Sequence, residues 1–188
     1  PDIIHCNDWQ TALVPLLLKT EYTNHPKLSK IKTLFSVHNL SYQGLFPAEQ
    51  ISVAGIGWEH FHIDGIEFWG QINLMKGGLV FADHISTVSE RYSKEILTKE
   101  YGSGLDGVLQ RRASRLHGIL NGADYTTWNP EYDENLVQTY TPQTVTTGKA
   151  ANKQKLIEEF ELAPDSIDKP LVGVVSRLAY QKGIDLCI

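Results

Sequence analysis

Several short apolar runs in this 188-residue chain end in polar side chains able to do chemistry. Ile3-Ile4 is followed by His5, Asn7 and Asp8. The run Lys32 to Val37 gives way to His38 and Asn39. His84-Ile85 leads to Ser86, Thr87 and Ser89, and Leu116 to Leu120 leads to Asn121 and Asp124. Leu171 to Val175 leads to Ser176, Arg177 and, after a short loop, Lys182. If each run is a strand of an open α/β sheet, these groups sit where such sheets bind ligands, outside the carboxyl strand ends. Their chemistry suits hydroxyls, phosphates and a developing charge. A single histidine at such a place serves equally well as a hydrogen-bonded structural residue. His38 stands out because His-Asn follows an apolar strand directly and precedes an aromatic loop bearing Gly44. Arg177 and Lys182 lie five apart, with Gly183 closing the loop. Two cations beside a helix start would hold a pyrophosphate. The same pair also reads as a surface pair that keeps the domain soluble, and local sequence does not choose between the two.

Other motifs carry less. His60-x-His62-x-Asp64 has ligand types for zinc or iron. No distant ligand completes a pattern, and Phe61 and Ile63 interleave, so a hydrogen-bonded loop without metal is expected. Cys6 and His5 are adjacent, which on a strand points them to opposite faces and argues against a thiolate pair. Asn39-Leu40-Ser41 is formally a glycosylation sequon, discounted beside a candidate site. Neither G-x-G-x-x-G nor a Walker A sequence occurs. The aromatics Trp9, Tyr42, Phe46, Trp58, Trp69 and Tyr180 include possible sugar-stacking platforms, though each taken singly reads as packing.

The elements that must position these residues alternate. Strand Ile3–Cys6 precedes a helix over 9–19, kinked by Pro15. A second strand covers 32–38, and 41–65 is an irregular functional loop. A buried helix is expected over 71–81, with Gly77 and Gly78 marking close packing. A third strand covers 84–89, with Ser89 capping an amphipathic helix closed by Gly102. The glycine-rich stretch 102–107 leads to the basic cluster Arg111, Arg112 and Arg115. A fourth strand covers 116–120. Residues 125–148 read as a surface connection, 149–162 as helix, and Leu171–Ser176 as a fully buried strand before a last helix. Strands buried on both faces and alternating with helices give a doubly wound α/β class. A second α/β unit is expected from about residue 121.

Composition sets the outer bounds. Apolar residues make up 41% and charged ones 21%, enough to bury a core and exclude wholesale disorder. A net charge of -5 with no basic block offers nucleic acid no footprint. No apolar run nears the ~18 residues of a membrane span. Cys6 and Cys187 read as buried thiols rather than a disulfide. The chain lacks an initiator Met, starts as if within a strand and stops as if at a helix start, so it reads as an internal piece of a longer protein.

Five stretches together resemble the bacterial glycogen synthase and plant starch synthase family: PDIIHCNDWQ, FSVHNLSYQGLFP, GIEFWGQINLMKGGLVFADHISTVSERYSKEI, GILNGADYTTWNP and VVSRLAYQKGIDL. These are ADP-glucose-using glucosyltransferases of the GT-B fold, glycosyltransferase family 5. Asn7 departs from the family's common H-x-H-D-W, while Asp8 and Trp9 keep it. The resemblance implies two Rossmann-like doubly wound domains, both incomplete here. Residues 1–120 would belong to the acceptor-side domain, and 121–188 would start the nucleotide-sugar domain. It implies retaining transfer of glucose to the non-reducing end of an α-1,4-glucan. His38, Arg177 and Lys182 would be catalytic, the last two holding the donor diphosphate. Asp8, Asn39 and Asn121 would bind sugar. No metal and no cofactor are implied beyond ADP-glucose as substrate. The partners would be glycogen or starch, with no nucleic acid and no membrane, and oligomeric state is left open. The compartment would be the cytoplasm in a bacterium and the plastid in a plant. The family's K-x-G-G loop would precede residue 1, and its acidic site residue and donor loop would follow residue 188. The chain alone is therefore expected to be inactive and its carboxyl piece to expose apolar surface. The alternatives are another GT-B transferase with a different donor or acceptor, and a non-catalytic glucan-binding homologue.

Overall fold

The computed structural model of the chain describes residues 1–187, Tyr180 by its backbone alone. Close packing divides the chain into two compact units, Pro1–Gly122 and Ala123–Ile188. In chain order the first unit contains β1 (Ile3–Asn7), α1 (Leu13–Lys19), β2 (Lys32–Val37), β3 (Leu45–Pro47), β4 (Glu67–Phe68), β5 (Gln71–Asn73), α2 (Leu74–Phe81), β6 (His84–Thr87), α3 (Glu90–Glu95), α4 (Asp106–Arg111) and β7 (Leu116–Gly118). Four strands form a parallel sheet in the order β1-β2-β6-β7, and β3, β5 and β4 form a small antiparallel one.

The main sheet has one apolar row and one polar row because side chains alternate along a strand. Register places Cys6, Phe35, Ile85 and Leu116 side by side, and next to them Asn7, Ser36, Ser86 and His117. Helix α2 covers the apolar row. A Cβ built on Gly78 would stand 2.3 Å from Cζ of Phe35, and one on Gly77 would stand 3.2 Å from Ile66 and Leu16. The glycine pair thus permits the close approach expected of it. Phe35, Met75, Leu79, Ile85 and Leu109 are fully buried in the resulting core, and Leu16, Ile51, Ile66 and Ile72 form a second cluster.

Several expectations need correction. Pro15 does not kink a long helix. The chain makes a 3-10 turn over Trp9–Thr11, and α1 then starts at Leu13, placing Pro15 in the first turn, where an N–H has no intrahelical partner. Gln71–Asn73 is strand, and the helix begins only at Leu74 with the Asn73 side chain accepting from the Lys76 N–H. The loop 41–65 contains β3 and 3-10 turns at Ala48–Ser52 and Trp58–His60. Ser89 does cap α3, accepting from the Tyr92 N–H at 2.9 Å, but the helix stops at Glu95 and turns carry the chain to Gly102. The central strands β2 and β6 are buried on both faces, whereas the edge strands β1 and β7 leave alternate residues exposed.

In the second unit, α5 (Val145–Glu159) starts four residues before the expected Lys149. The connection before it is a chain of turns, with Tyr125, Trp128 and Tyr132 exposed. Leu171–Ser176 is not a buried strand. No strand among the described residues pairs with it, and Val172 and Val175 are exposed. A β-prone run without a neighbouring ladder has no partner for its backbone groups. The last helix is likewise only 3-10 turns, Tyr180–Lys182 and Ile184–Leu186. Cys187 is exposed, against the expectation of a second buried thiol, while burial pushes the Cys6 thiol up. Among the described residues no helix is long and apolar enough to cross a membrane.

Asp83, paired with Lys19 and, at 3.7 Å, with Lys32, ties the amino end of the main sheet together. Asp83 Oδ1 accepts from Lys19 Nζ at 2.9 Å, and Oδ2 accepts from Thr33 N at 2.8 Å and Thr33 Oγ1 at 3.1 Å. Burial alone would raise the Asp83 carboxyl. The hydrogen bonds from Lys19 and Thr33 and the Lys19 charge outweigh it and hold the carboxyl below its ordinary value. A depressed carboxyl contributes stability above its unfolded value, about 3.9, and loses it as pH falls through the lower folded value. Asp83→Asn is therefore expected to destabilise the chain by about 1.5–3 kcal/mol at neutral pH. That gap should close as pH falls below roughly 4. Urea unfolding midpoints of parent and variant across pH check both statements.

Candidate active site

The site is built where β1 ends. Asp8 N donates to Ser36 O at 2.9 Å, one more rung of the β1–β2 ladder. The backbone then leaves the sheet with Asp8 at φ 54 and ψ -177, a left-handed conformation that is costly for a residue with a Cβ. The Asp8 carboxylate takes over where the strand backbone has turned away, Oδ1 accepting the His38 backbone N–H at 2.8 Å. Thr11 clamps the same corner. Its Oγ1 accepts from Asn7 N at 2.6 Å and donates to Asn7 O at 2.8 Å. The second Asp8 oxygen has no hydrogen bond among the described residues.

Beside this corner the polar row opens into a cleft of about 250 Å³, lined by His5, Asn7, Ser36, His38, Ser86, Thr87 and Asn121. His38 Nε2 lies 3.0 Å from Asn7 Oδ1. His5 Nε2 lies 2.7 Å from Ser36 Oγ, which is 2.5 Å from Ser86 Oγ, a chain of contacts across β1, β2 and β6. Thr87 Oγ1 donates to Val37 O at 2.7 Å, and Ile119 N donates to Thr87 O at 2.8 Å, carrying the chain from β7 towards Asn121. Asn39 starts the following loop, with Oδ1 accepting the Ser41 N–H at 3.0 Å. His38 and Asn121 thus share one cleft, with Asp8 and Asn39 at its edge.

The other expected cations stand in the second unit. Arg177 and Lys182 are both exposed, and among the described residues neither makes an ion pair. Ala179 N donates to Arg177 O and Lys182 N to Ala179 O, both at 2.8 Å. Gly183, at φ 64, turns the chain onward. The described residues that follow form only the three-residue turns Tyr180–Lys182 and Ile184–Leu186. Asp124 is spent on Thr126, whose hydroxyl and N–H hold its carboxyl below the ordinary value.

The remaining motifs resolve into structure. His60 packs edge-on against Phe81, and the carbonyls of His60 and His62 accept from Ile66, Gly65 and Glu67, the hydrogen-bonded loop expected. Glu21, Glu59 and His60 bring ligand atoms near one another without Asp64 or His62. Arg111 pairs with Asp64 at 3.7 Å, Arg112 donates to Ala82 O, and Arg115 lies 3.4 Å from His84 Nε2. A cavity of about 400 Å³ beside Lys76 is lined by Trp69, one of the aromatics considered for stacking, and by Arg111, but by none of the expected catalytic or sugar-binding residues. Burial pushes the Lys76 ammonium down, and it is occupied by the Ile63 and Glu67 carbonyls at 2.6 and 2.5 Å. Trp9 packs on Phe46, while Tyr42, Trp58 and Trp69 are exposed and the Tyr180 side chain lies outside the described residues. Ser36 was missed by the sequence reading. Its only signal is a hydroxyl interrupting Phe35 and Val37 one residue before the strand end.

The starch synthase catalytic domain family matches residues 1–111. A glycogen synthase of Thermodesulfovibrio yellowstonii is 50% identical over 187 residues, covering 100% of this chain and 37% of that protein. One from Geotalea daltonii is 52% identical over 188 residues, covering 99% and 38%. The catalytic domain of starch synthase IV from Arabidopsis thaliana, bound to ADP and acarbose, superposes with a TM-score of 0.87 at 35% identity. That alignment covers 100% of this chain and 38% of that one. The chain therefore spans little more than a third of the length of the relatives it matches. The α/β architecture with a parallel sheet is common to this chain and that structure.

The Asp8 corner yields an ordered set of expectations. Asp8→Asn keeps an acceptor for the His38 N–H and should cost less than about 1 kcal/mol. Asp8→Ala loses the acceptor and keeps the unfavourable φ, and should cost about 1–3 kcal/mol. Asp8→Gly loses the acceptor but relieves the backbone, and should fall between them. Urea denaturation of the three variants tests the order.

Proposed function

The chain belongs to the starch synthase catalytic-domain family, and from that premise we propose that the whole protein is a retaining glucosyltransferase. It moves glucose from ADP-glucose to the non-reducing end of an α-1,4-glucan, glycogen or starch. The observation that carries this reading is the cleft at the carboxyl end of the sheet, where His38 and Asn121 meet beside Asp8. Its hydroxyl and amide lining suits a neutral polyol. Asp8 and Asn121 orient sugar hydroxyls, with Asn39 shaping the loop beside them. His38 contacts the donor glucose and supports its oxocarbenium-like transition state.

The bond from glucose C1 to the diphosphate breaks and its electron pair leaves with ADP. Arg177 and Lys182 hold that growing charge, and no cofactor beyond the donor is required. The acceptor 4-hydroxyl bonds to C1 on the face the diphosphate leaves, which preserves the anomeric configuration, and its proton passes to a leaving phosphate oxygen. Residues 1–120 serve the acceptor side and 121–188 begin the nucleotide-sugar side. The compartment follows the source, cytoplasm in a bacterium or plastid in a plant.

The test is glucose transfer to glycogen by the intact protein, with ADP-glucose and UDP-glucose side by side. ADP-glucose is expected to be the better donor. His38→Ala, Arg177→Ala and Lys182→Ala should each lower kcat/KM by about 10²–10³. The 188-residue chain alone should transfer nothing. A preference for UDP-glucose would move the reading to another transferase, and glucan binding without transfer would move it to a non-catalytic homologue.

A further inference from the structure

We infer that Asn7 is a positioning residue that holds the His38 imidazole protonated at Nε2, leaving Nδ1 to accept a hydrogen bond from a sugar hydroxyl. This rests on the transferase reading above and deepens it. An amide oxygen can only accept, so the 3.0 Å contact between Asn7 Oδ1 and His38 Nε2 places the ring proton on Nε2. The backbone that carries this amide is itself anchored. Thr11 Oγ1 holds both the N–H and the carbonyl of Asn7, and the next residue, Asp8, holds the backbone N–H of His38. Ring and backbone of His38 are therefore fixed by successive residues at the end of β1. Neutral His38 then offers one acceptor, Nδ1. That suits a site in which positive charge develops on the sugar, since an imidazolium would oppose it.

The choice of an amide has a consequence. Asn7 stands where the related H-x-H-D-W pattern has an imidazole. An imidazole accepts only while neutral and in one tautomer, whereas an amide oxygen accepts at every pH. Among the described residues, the other titratable group lining the cleft is His5, from the same strand as Asn7, and Asp8 stands at its edge against the His38 backbone. From β2, β6 and the segment after β7 the cleft receives Ser36, Ser86, Thr87 and Asn121, which carry no charge in this range.

The experiment measures kcat and KM for ADP-glucose against pH in the intact protein, with Asn7→Leu and Asn7→Asp. Asn7→Leu removes the acceptor and should lower kcat about two- to tenfold while KM stays within about twofold. Asn7→Asp keeps an acceptor, so activity on the high-pH plateau should return to near parent. Its charge favours the imidazolium and should move the acid limb up by roughly one pH unit. Histidine ring ¹⁵N shifts of the same proteins, with His38 assigned by its loss in His38→Gln, give a readout independent of turnover. The parent should show the Nε2-protonated form and Asn7→Leu a mixture. Unchanged kcat and ring shifts in Asn7→Leu would overturn the inference. So would equal losses in both variants with an unmoved acid limb, the pattern of a structural role. A parent that transfers no glucose would sink the transferase reading alone, because the ring shifts still decide the role of Asn7.

Discussion

The architecture of the first unit depends on the contact between Gly78 and Phe35. A side chain as small as a methyl group at residue 78 would collide with the ring, so α2 can lie against the sheet only because that position is bare. The contact does more than seal a core. Helix α2 runs through Ala82 and Asp83 directly into β6, so seating α2 on Phe35 also seats β6 beside β2, with Ile85 next to Phe35 in register. Because strand side chains alternate, fixing that apolar row fixes the polar row behind it. Ser36 and Ser86 meet at 2.5 Å on the opposite face from the packing that brings them together. The floor of the cleft is a by-product of the core.

The cleft's rim has a different origin. At Asp8 the backbone holds a conformation that a residue with a Cβ adopts at a cost, and such conformations persist only where the surroundings over-determine them. Here the surroundings do so at three points, the Ser36 carbonyl, the Thr11 hydroxyl beside Asn7, and the His38 N–H. One carboxylate oxygen is left without a hydrogen bond among the described residues, and Asn7 stands against the His38 ring. A relaxed extension of β1 would continue the ladder and bury these groups in it. The strained corner is what turns a strand end into the rim of the cleft.

How much of this was legible in the sequence follows from the range of each signal. Dense apolar runs marked β1, β2, β6 and β7, although only the central β2 and β6 are buried on both faces. The Ser89 cap and the Gly77-Gly78 approach were also readable, since each depends on one residue and its neighbours. The small sheet of β3, β4 and β5 was not, because strands of two or three residues carry no period. Gln71–Asn73 was absorbed into a helix for the same reason. Leu171–Ser176 has strand composition, but a strand is a relation between segments, and no partner segment lies beside it among the described residues. Residue types at strand ends pointed to His38 and Asn121, which line the cleft, and to Asp8 at its edge. The hydrogen bond that fixes the His38 ring lay in pairing register, which a single sequence does not display.

The distribution of charge gives the arrangement its chemical logic. The lining of the cleft in the first unit contains no lysine, arginine, aspartate or glutamate, only imidazole, amide, hydroxyl and apolar groups. The exposed cations Arg177 and Lys182 belong to the other unit. A nucleotide sugar is divided in the same way, a neutral polyol joined to a diphosphate that gains charge as the bond breaks. For the transfer proposed above, a fixed cation in this cleft would oppose the positive charge that develops at C1. The one group there that can become cationic is imidazole. A neutral amide as the partner of the His38 ring does not favour that charge as a carboxylate would, and the carboxylate at the cleft's edge, Asp8, accepts from the His38 backbone N–H instead.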